Sequence, residues 1–101
     1  PPPPPPRAVF AANVAPAIGA MQAVRTAGLE IPRDVSIVAV HDFELAGYLH
    51  PALTTVRMPL ADLGRRGVTL LGSLKPDDTV AEVLAGPIEL IQRSSTAPPR
   101  R

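Results

Sequence analysis

"AVFAANVAPAIGAMQAVRTAGLEIPRDVSIVAVHD", residues 8–42, contains two short apolar runs separated by one helical pattern. The runs at 8–12 and 35–40 predict two strands, and the second is apolar on both faces, as parallel strands covered by helices tend to be. Two strands joined through a helix form a right-handed βαβ unit. The stretch therefore predicts an α/β fold with a parallel sheet and flanking helices.

The helix between the two strands has a clear beginning and end. Asn13 is a good N-cap residue for a helix over 14–27, and Pro16 falls in the first turn, where its missing N–H removes no intrahelical bond. Gly28 supplies the left-handed residue that often follows a helix. An apolar stripe is expected to face the sheet: Ile18, Met21 and Val24.

The chain after residue 42 alternates between the same two kinds of element. We predict a helical turn at 44–49, a β-branched strand at 53–57, a helix at 60–74 and a last strand at 87–92, with 80–84 ambiguous. The helix at 60–74 contains three glycines, each costing about 1 kcal/mol relative to alanine, so its stability depends on packing against a neighbour. Its apolar residues follow the helical period: Leu60, Leu63, Leu71 and Leu74.

Polar side chains follow both strands of the βαβ unit. Asn13 ends the first strand, and His41 and Asp42 end the second. Ligands of open α/β sheets bind beyond the carboxyl ends of the strands, so these residues predict a binding site. Structural roles stay open: Asn13 and Asp42 are also suited to capping the helices that follow them, and His41 to a place in the core.

Composition excludes several classes of protein. The 101 residues suffice for one small domain, and the net charge of +1 includes no basic stripe of the kind that binds nucleic acid. The absence of cysteine excludes disulfides and thiolate metal sites. No apolar run approaches the ~18 residues of a membrane span. A cytoplasmic protein without membrane attachment is the default expectation.

The two ends of the chain differ in composition from its centre. Residues 1–7 form a proline-rich leader, which predicts a polyproline II rod that serves either as an unstructured leader or as a ligand for an SH3-like groove. Residues 8–97 are assigned to the folded region and 98–101 to a polar tail.

Four stretches, "AVFAAN", "AIGAMQAVRTAGLEIPRDVSIV", "LHPALTTVRMP" and "RSST", resemble the C-terminal part of lactose-repressor (LacI/GalR) family regulators. The resemblance extends from Ala8 to about Pro99. It implies a partial periplasmic-binding-protein-like (type I) fold, in which two α/β subdomains enclose a sugar or nucleobase effector. This chain would supply much of the C-terminal subdomain.

The resemblance also implies effector-binding roles for Asn13, His41 and Asp42. Asn13 matches the family's Asn-Asp pattern, but Val14 replaces the acid. His41 stands where the first acid of a second pattern is usual, and Asp42 matches the second. Because a neutral histidine both donates and accepts hydrogen bonds whereas a carboxylate only accepts, effector specificity is expected to differ.

Family members begin with a helix-turn-helix headpiece, which nothing before Ala8 can form. We therefore interpret the chain as a regulator fragment that reaches DNA only through a headpiece absent from it. The resemblance places the helix at 60–74 against the other subdomain. Its leucines would serve there or in a homodimer or higher oligomer.

Two other functions are weighed. A solute-binding protein of the same fold is disfavoured because no export signal and only three aromatic residues are present. A small metal-dependent enzyme would use His41 and Asp42 as a dyad, but His50 is the only other histidine and no H-E-x-x-H spacing occurs. We expect no enzymatic activity, no metal and no cofactor.

Overall fold

Two parallel strand pairs and a crossover helix form the centre of the protein. A computed structural model describes residues 3–84 and 86–99. The elements follow in chain order: β1 (Ala8–Ala11), α1 (Val14–Thr26), β2 (Ser36–Val40), a 3-10 helix (Glu44–Tyr48), β3 (Thr54–Arg57), α2 (Leu60–Ser73) and β4 (Glu89–Ile91). Each predicted strand and helix is therefore present within a few residues of its expected position.

The strands form one sheet in the order β1-β2-β3-β4. β1 pairs with β2 and β2 with β3 in parallel, but β4 runs antiparallel to β3, with Glu89 opposite Arg57. The predicted parallel sheet is present in β1 to β3, and β4 adds an antiparallel strand at its edge. No α2 residue is buried, so α2 does not cross back over the sheet, and the chain re-enters at the end where β3 stops.

α1 covers one face of the sheet. The Oδ1 atom of Asn13 accepts a hydrogen bond from the N–H of Ala15 at 3.1 Å, which confirms the predicted N-cap. The buried helix residues join the core with Ile37 and Ala39 of β2: Val14, Ala17 and Met21. Met21 is buried and Val24 packs against the core, as predicted, but Ile18 of the same stripe is 39% exposed.

The other face of the sheet carries apolar side chains that no helix of the described residues covers. Phe10 and Leu90 are 68% and 63% exposed there. Strand register places Val38 and Val56 on this same face, and both are partly buried. The expectation that helices cover both faces is therefore wrong for this chain.

α2 begins and ends as predicted, yet its apolar stripe faces solvent. Leu60, Leu63 and Leu71 are 47%, 53% and 72% exposed, and Leu74 just after the helix is 38% exposed. An ion pair links the helix to the following segment: Arg66 Nε lies 2.7 Å from Glu82 Oε1. Among the described helices, α2 included, none is long and apolar enough to cross a membrane.

The chain after β4 is hydrogen-bonded to the strands at the centre of the sheet. Buried Ser95 accepts a hydrogen bond from the N–H of Thr54 at 2.8 Å through its Oγ, and its carbonyl accepts one from the N–H of Ile37 at 2.9 Å. The N–H of Ala97 donates to Ser36 Oγ at 3.1 Å. These bonds satisfy backbone groups that the strand ladders leave unpaired.

Candidate functional site

The carboxyl ends of β1 and β2 meet at an open cavity of about 370 Å³. Because β1 and β2 are parallel neighbours, the residues that follow them reach the same edge of the sheet. Asn13, His41 and Asp42 all line the cavity, so the structure brings the three predicted residues together. Its other walls come from α1, the segment around the 3-10 helix and the first residue of α2: Val14, Ala15, Ile18, Phe43, Leu45 and Leu60.

Asn13 has a structural role at this edge as well as a place in the cavity wall. Its Oδ1 atom caps α1, as described above. An asparagine amide carries two further N–H donors, which the cap does not use. Asn13 therefore offers donors at the cavity while it fixes the start of the helix.

His41 has an uncommon backbone conformation. Its φ of 70° lies in the left-handed region, where residues other than glycine are rare, although histidine is enriched there. Its N–H donates to the carbonyl of Val56 at 2.8 Å, which extends the β2–β3 ladder by one bond. The Nδ1 atom is buried and has no hydrogen-bond partner among the described residues. An unpartnered buried polar atom and left-handed backbone together are typical of functional sites.

Asp42 is held by three donors rather than acting as a helix cap. Its Oδ1 atom accepts hydrogen bonds from Thr55 Oγ1 at 2.7 Å and Arg93 Nη2 at 2.9 Å, and Oδ2 accepts one from Arg57 Nη2 at 2.9 Å. Phe43 is the residue that caps the 3-10 helix, and it makes no side-chain cap bond. The capping role considered for Asp42 is therefore wrong.

These donors determine the protonation state of Asp42. Burial by itself raises the pKa of this carboxyl, but the hydrogen bonds from Thr55, Arg57 and Arg93 outweigh it. The net effect holds the pKa of Asp42 well below its usual range. The group is thus an anion at every physiological pH, and most of its accepting capacity is already occupied.

Sequence reasoning missed the partners of Asp42. Arg57 and Arg93 lie 15 and 51 residues from it, and charge pairs at such separations have no periodic signature. The "RSST" stretch that contains Arg93 carried only the family resemblance. Arg57 also lies 3.7 Å from Glu89 of β4, so the ion pairs connect the ends of three strands.

Two of the four leucines predicted to pack against a partner line cavities, and the other two do not. Leu60 lines the large cavity and also a smaller one of about 160 Å³, which it shares with Leu63 and His41. Leu71 and Leu74 border neither cavity. Within the described ranges no group of three or more His, Cys, Asp or Glu residues could hold a metal ion.

Comparison with known proteins places this geometry in a family. The model of the periplasmic binding protein-like domain matches residues 1–96. A ribose operon repressor from Haemophilus influenzae is 41% identical over 91 residues, which make up 88% of this chain and 27% of the repressor. A lactose operon repressor from Rhizobium radiobacter is 37% identical over 94 residues, 93% of this chain and 83% of that sequence.

A solved structure agrees with these sequences. The LacI family transcriptional regulator from Enterococcus faecium with bound ribose has a TM-score of 0.72 and 32% identity, over 93% of this chain and 35% of that one. The chain thus spans only 27% of the length of the ribose operon repressor. The predicted partial periplasmic-binding-protein-like α/β fold is confirmed. The chain belongs to the lactose-repressor (LacI) family of transcriptional regulators and corresponds to its C-terminal effector-binding region.

Proposed function

We propose that the chain binds a small polyhydroxylated effector, a sugar of the pentose class, in the cavity at the ends of β1 and β2. The observation that carries the proposal is the convergence of Asn13, His41 and Asp42 on that one cavity. Its volume of about 370 Å³ lies within the roughly 300–1,000 Å³ usual for small-molecule sites. Mostly apolar walls with a few polar groups are also usual there.

The polar groups match the chemistry of a sugar. Each hydroxyl is both a donor and an acceptor, so a sugar needs both kinds of partner. Asn13 supplies amide donors, and His41, which also lines the cavity, carries an imidazole that in its neutral form has one donor and one acceptor. Asp42 acts chiefly as the anchor of the turn, since three donors already occupy it.

The names of relatives support the same class. The Haemophilus influenzae relative is a ribose operon repressor, and the Enterococcus faecium structure contains ribose. Both are regulators of transcription by name, which favours regulation over the alternatives of a transport protein or a metal-dependent enzyme. We propose a non-enzymatic role without cofactor, in the cytoplasm, where a transcriptional regulator meets DNA.

Assembly and DNA contact complete the proposal. The exposed leucines of α2 are suited either to packing against the other subdomain of a whole regulator or to a homodimer or larger oligomer. A helix-turn-helix headpiece of the family kind would make the DNA contact. The described residues contribute effector sensing and association to such a regulator.

Titration of the ¹⁵N-labelled chain with D-ribose tests the proposal. The amide resonances of Asn13 and His41 are expected to shift saturably. His41→Asn tolerates the left-handed backbone but changes the side-chain chemistry, and it should weaken the affinity about tenfold. Asn13→Asp keeps the cap acceptor but loses the amide donors, and it should also weaken the affinity for D-ribose about tenfold.

Ser73→Ala on α2 is the matched control, because Ser73 does not line the cavity and its hydroxyl donates to the Leu70 carbonyl of its own helix. Its affinity should equal that of the wild type. Resonance shifts on addition of D-ribose that spread over the whole sheet would refute the site. So would shifts that persist unchanged in both His41→Asn and Asn13→Asp. Adenine, titrated in parallel, separates the sugar from the nucleobase class.

A further inference from the structure

We infer that Arg93 is a positioning residue of the effector site: it holds Asp42, and through Asp42 the turn that presents His41 to the cavity. The inference rests on the proposed function, because it concerns the cavity assigned to the effector. Arg93 itself does not border that cavity. Its effect on binding must therefore pass through another residue.

The guanidinium of Arg93 joins three parts of the chain. Nη2 donates to Asp42 Oδ1 at 2.9 Å, and Nη1 donates to the carbonyl of Leu53 at 2.7 Å and to Thr55 Oγ1 at 3.2 Å. The side chain is only 20% exposed. A planar fork holds its donors on separate nitrogens in a fixed geometry that matches such acceptors, whereas the three donors of a lysine ammonium all radiate from one nitrogen. The start of β3 thus serves as the fixed base from which Arg93 holds Asp42.

Asp42, which Arg93 holds, is the direct neighbour of His41, whose backbone conformation needs support. His41 keeps a φ of 70°, and left-handed backbone at a residue other than glycine persists only where the surroundings over-determine it. On one side His41 continues from β2, and its N–H is bonded to Val56. On the other side its neighbour is Asp42, whose carboxylate the arginines fix. Loss of this anchor is expected to release the turn.

Two amide groups distinguish release of the turn from general loosening. The N–H of His41 is bonded to the Val56 carbonyl, and its exchange with solvent reports on the turn. The N–H of Ile37 is bonded to the Ser95 carbonyl, and its exchange reports on docking of the chain after β4. A positioning role alters the first amide much more than the second.

The experiment measures both exchange rates and the D-ribose affinity in Arg93→Gln, Asp42→Asn and the double variant. Arg93→Gln should speed exchange at His41 about tenfold relative to Ile37 and weaken D-ribose binding about tenfold, as expected for the loss of one charged hydrogen bond. Asp42→Asn should have the same effects, and the double variant should be no worse than either single one. Arg33→Gln is the charge-matched control, since it removes an arginine from an exposed pair with Glu30.

Arg93→Lys retains the charge without the fork, so its His41 exchange rate and its D-ribose affinity should lie between those of the wild type and Arg93→Gln. If Arg93→Gln does not fold, the inference is tested on Arg93→Lys and Asp42→Asn. Additive effects in the double variant, or unchanged His41 exchange in folded variants, would overturn the inference. If D-ribose does not bind the wild type while His41 exchange responds as expected, the effector proposal fails and the positioning role stands. Unaltered D-ribose affinity in a folded Arg93→Gln variant refutes positioning and leaves the effector proposal intact.

Discussion

Ser95 Oγ accepts a hydrogen bond from the backbone N–H of Thr54 at 2.8 Å, across 41 residues of sequence. The same hydroxyl donates to the carbonyl of Ile37. One buried side chain after β4 therefore satisfies backbone groups of both β2 and β3. The sheet depends on this serine in a way that the exposed serines of the chain do not share.

Ser95→Ala should lower the free energy of unfolding by about 1–3 kcal/mol, because it leaves the Thr54 N–H and one acceptor site of the Ile37 carbonyl unsatisfied in the interior. Urea unfolding followed by far-UV circular dichroism measures the change. Ser73→Ala removes an exposed hydroxyl and should cost no more than about 0.5 kcal/mol. Equal costs for the two variants would contradict the assigned role of Ser95.

Asp42 should make stability depend on acid. The pKa of Asp42 is lowered in the folded chain, whereas an unfolded aspartate titrates near 3.9. The contribution of this group is therefore fully present above the unfolded pKa and is lost as the pH falls below it.

Urea unfolding of wild type and Asp42→Asn across pH measures this contribution. Their difference in free energy of unfolding should be on the order of 2 kcal/mol at pH 7 and should shrink between about pH 5 and pH 2. Subtraction of the variant removes the effect of other acids such as Glu82, whose pKa is lowered by its hydrogen bonds from Arg66. A difference that does not vary with pH would show that the ion pairs stabilise nothing.

His41→Gly should raise the stability of the fold and lower the affinity for the effector. Glycine adopts a φ of 70° without strain and removes the unpartnered Nδ1 atom, so the free energy of unfolding should rise by about 1 kcal/mol. Gly28→Ala is the converse control: its φ of 81° should make alanine cost about 1 kcal/mol, although nothing lies within 4 Å of the added Cβ. Thermal unfolding and D-ribose titration give the two readouts. A destabilised His41→Gly variant would mean that side-chain packing outweighs backbone strain.

The leucine stripe of α2 should drive self-association. Burial of an exposed leucine is worth roughly 1.5–3 kcal/mol, and several are exposed on this stripe. Light scattering of the chain at micromolar concentration should detect a dimer or a larger species, which Leu63→Glu and Leu71→Glu should dissociate. Thr69→Glu adds the same charge on the polar face and should leave the assembly intact. A monomer that tolerates both leucine substitutions would mean that the stripe needs no partner.

Most helix and strand positions could be predicted because their signals are local. The cap at Asn13, the left-handed Gly28 and the spacing of leucines in α2 each act over a few residues. The direction of β4 could not be read in the same way, because a three-residue strand looks alike in either orientation. It depends on where α2 lies, which is a tertiary property.

The residues of the candidate site also differ in whether a local signal predicts them. Asn13, His41 and Asp42 were predicted from their place after strands, since chain order alone brings neighbouring parallel strand ends together. The donors that fix Asp42 come from β3 and from beyond β4, and the left-handed conformation of His41 has no sequence signature. Long-range pairing and backbone strain arise only in the folded chain, so they leave no local pattern in the sequence.

The bonds from Ser95 to β2 and β3 also bear on how the protein is made. During synthesis, strands β1 to β3 leave the ribosome well before the residues that satisfy their inner backbone groups. Until those residues emerge, the nascent sheet carries unpaired polar groups in addition to the apolar face around Phe10, which stays exposed in the folded chain; unpaired strands of this kind aggregate or recruit chaperones. The sheet therefore becomes able to close only when the chain up to Ala97 has left the ribosome.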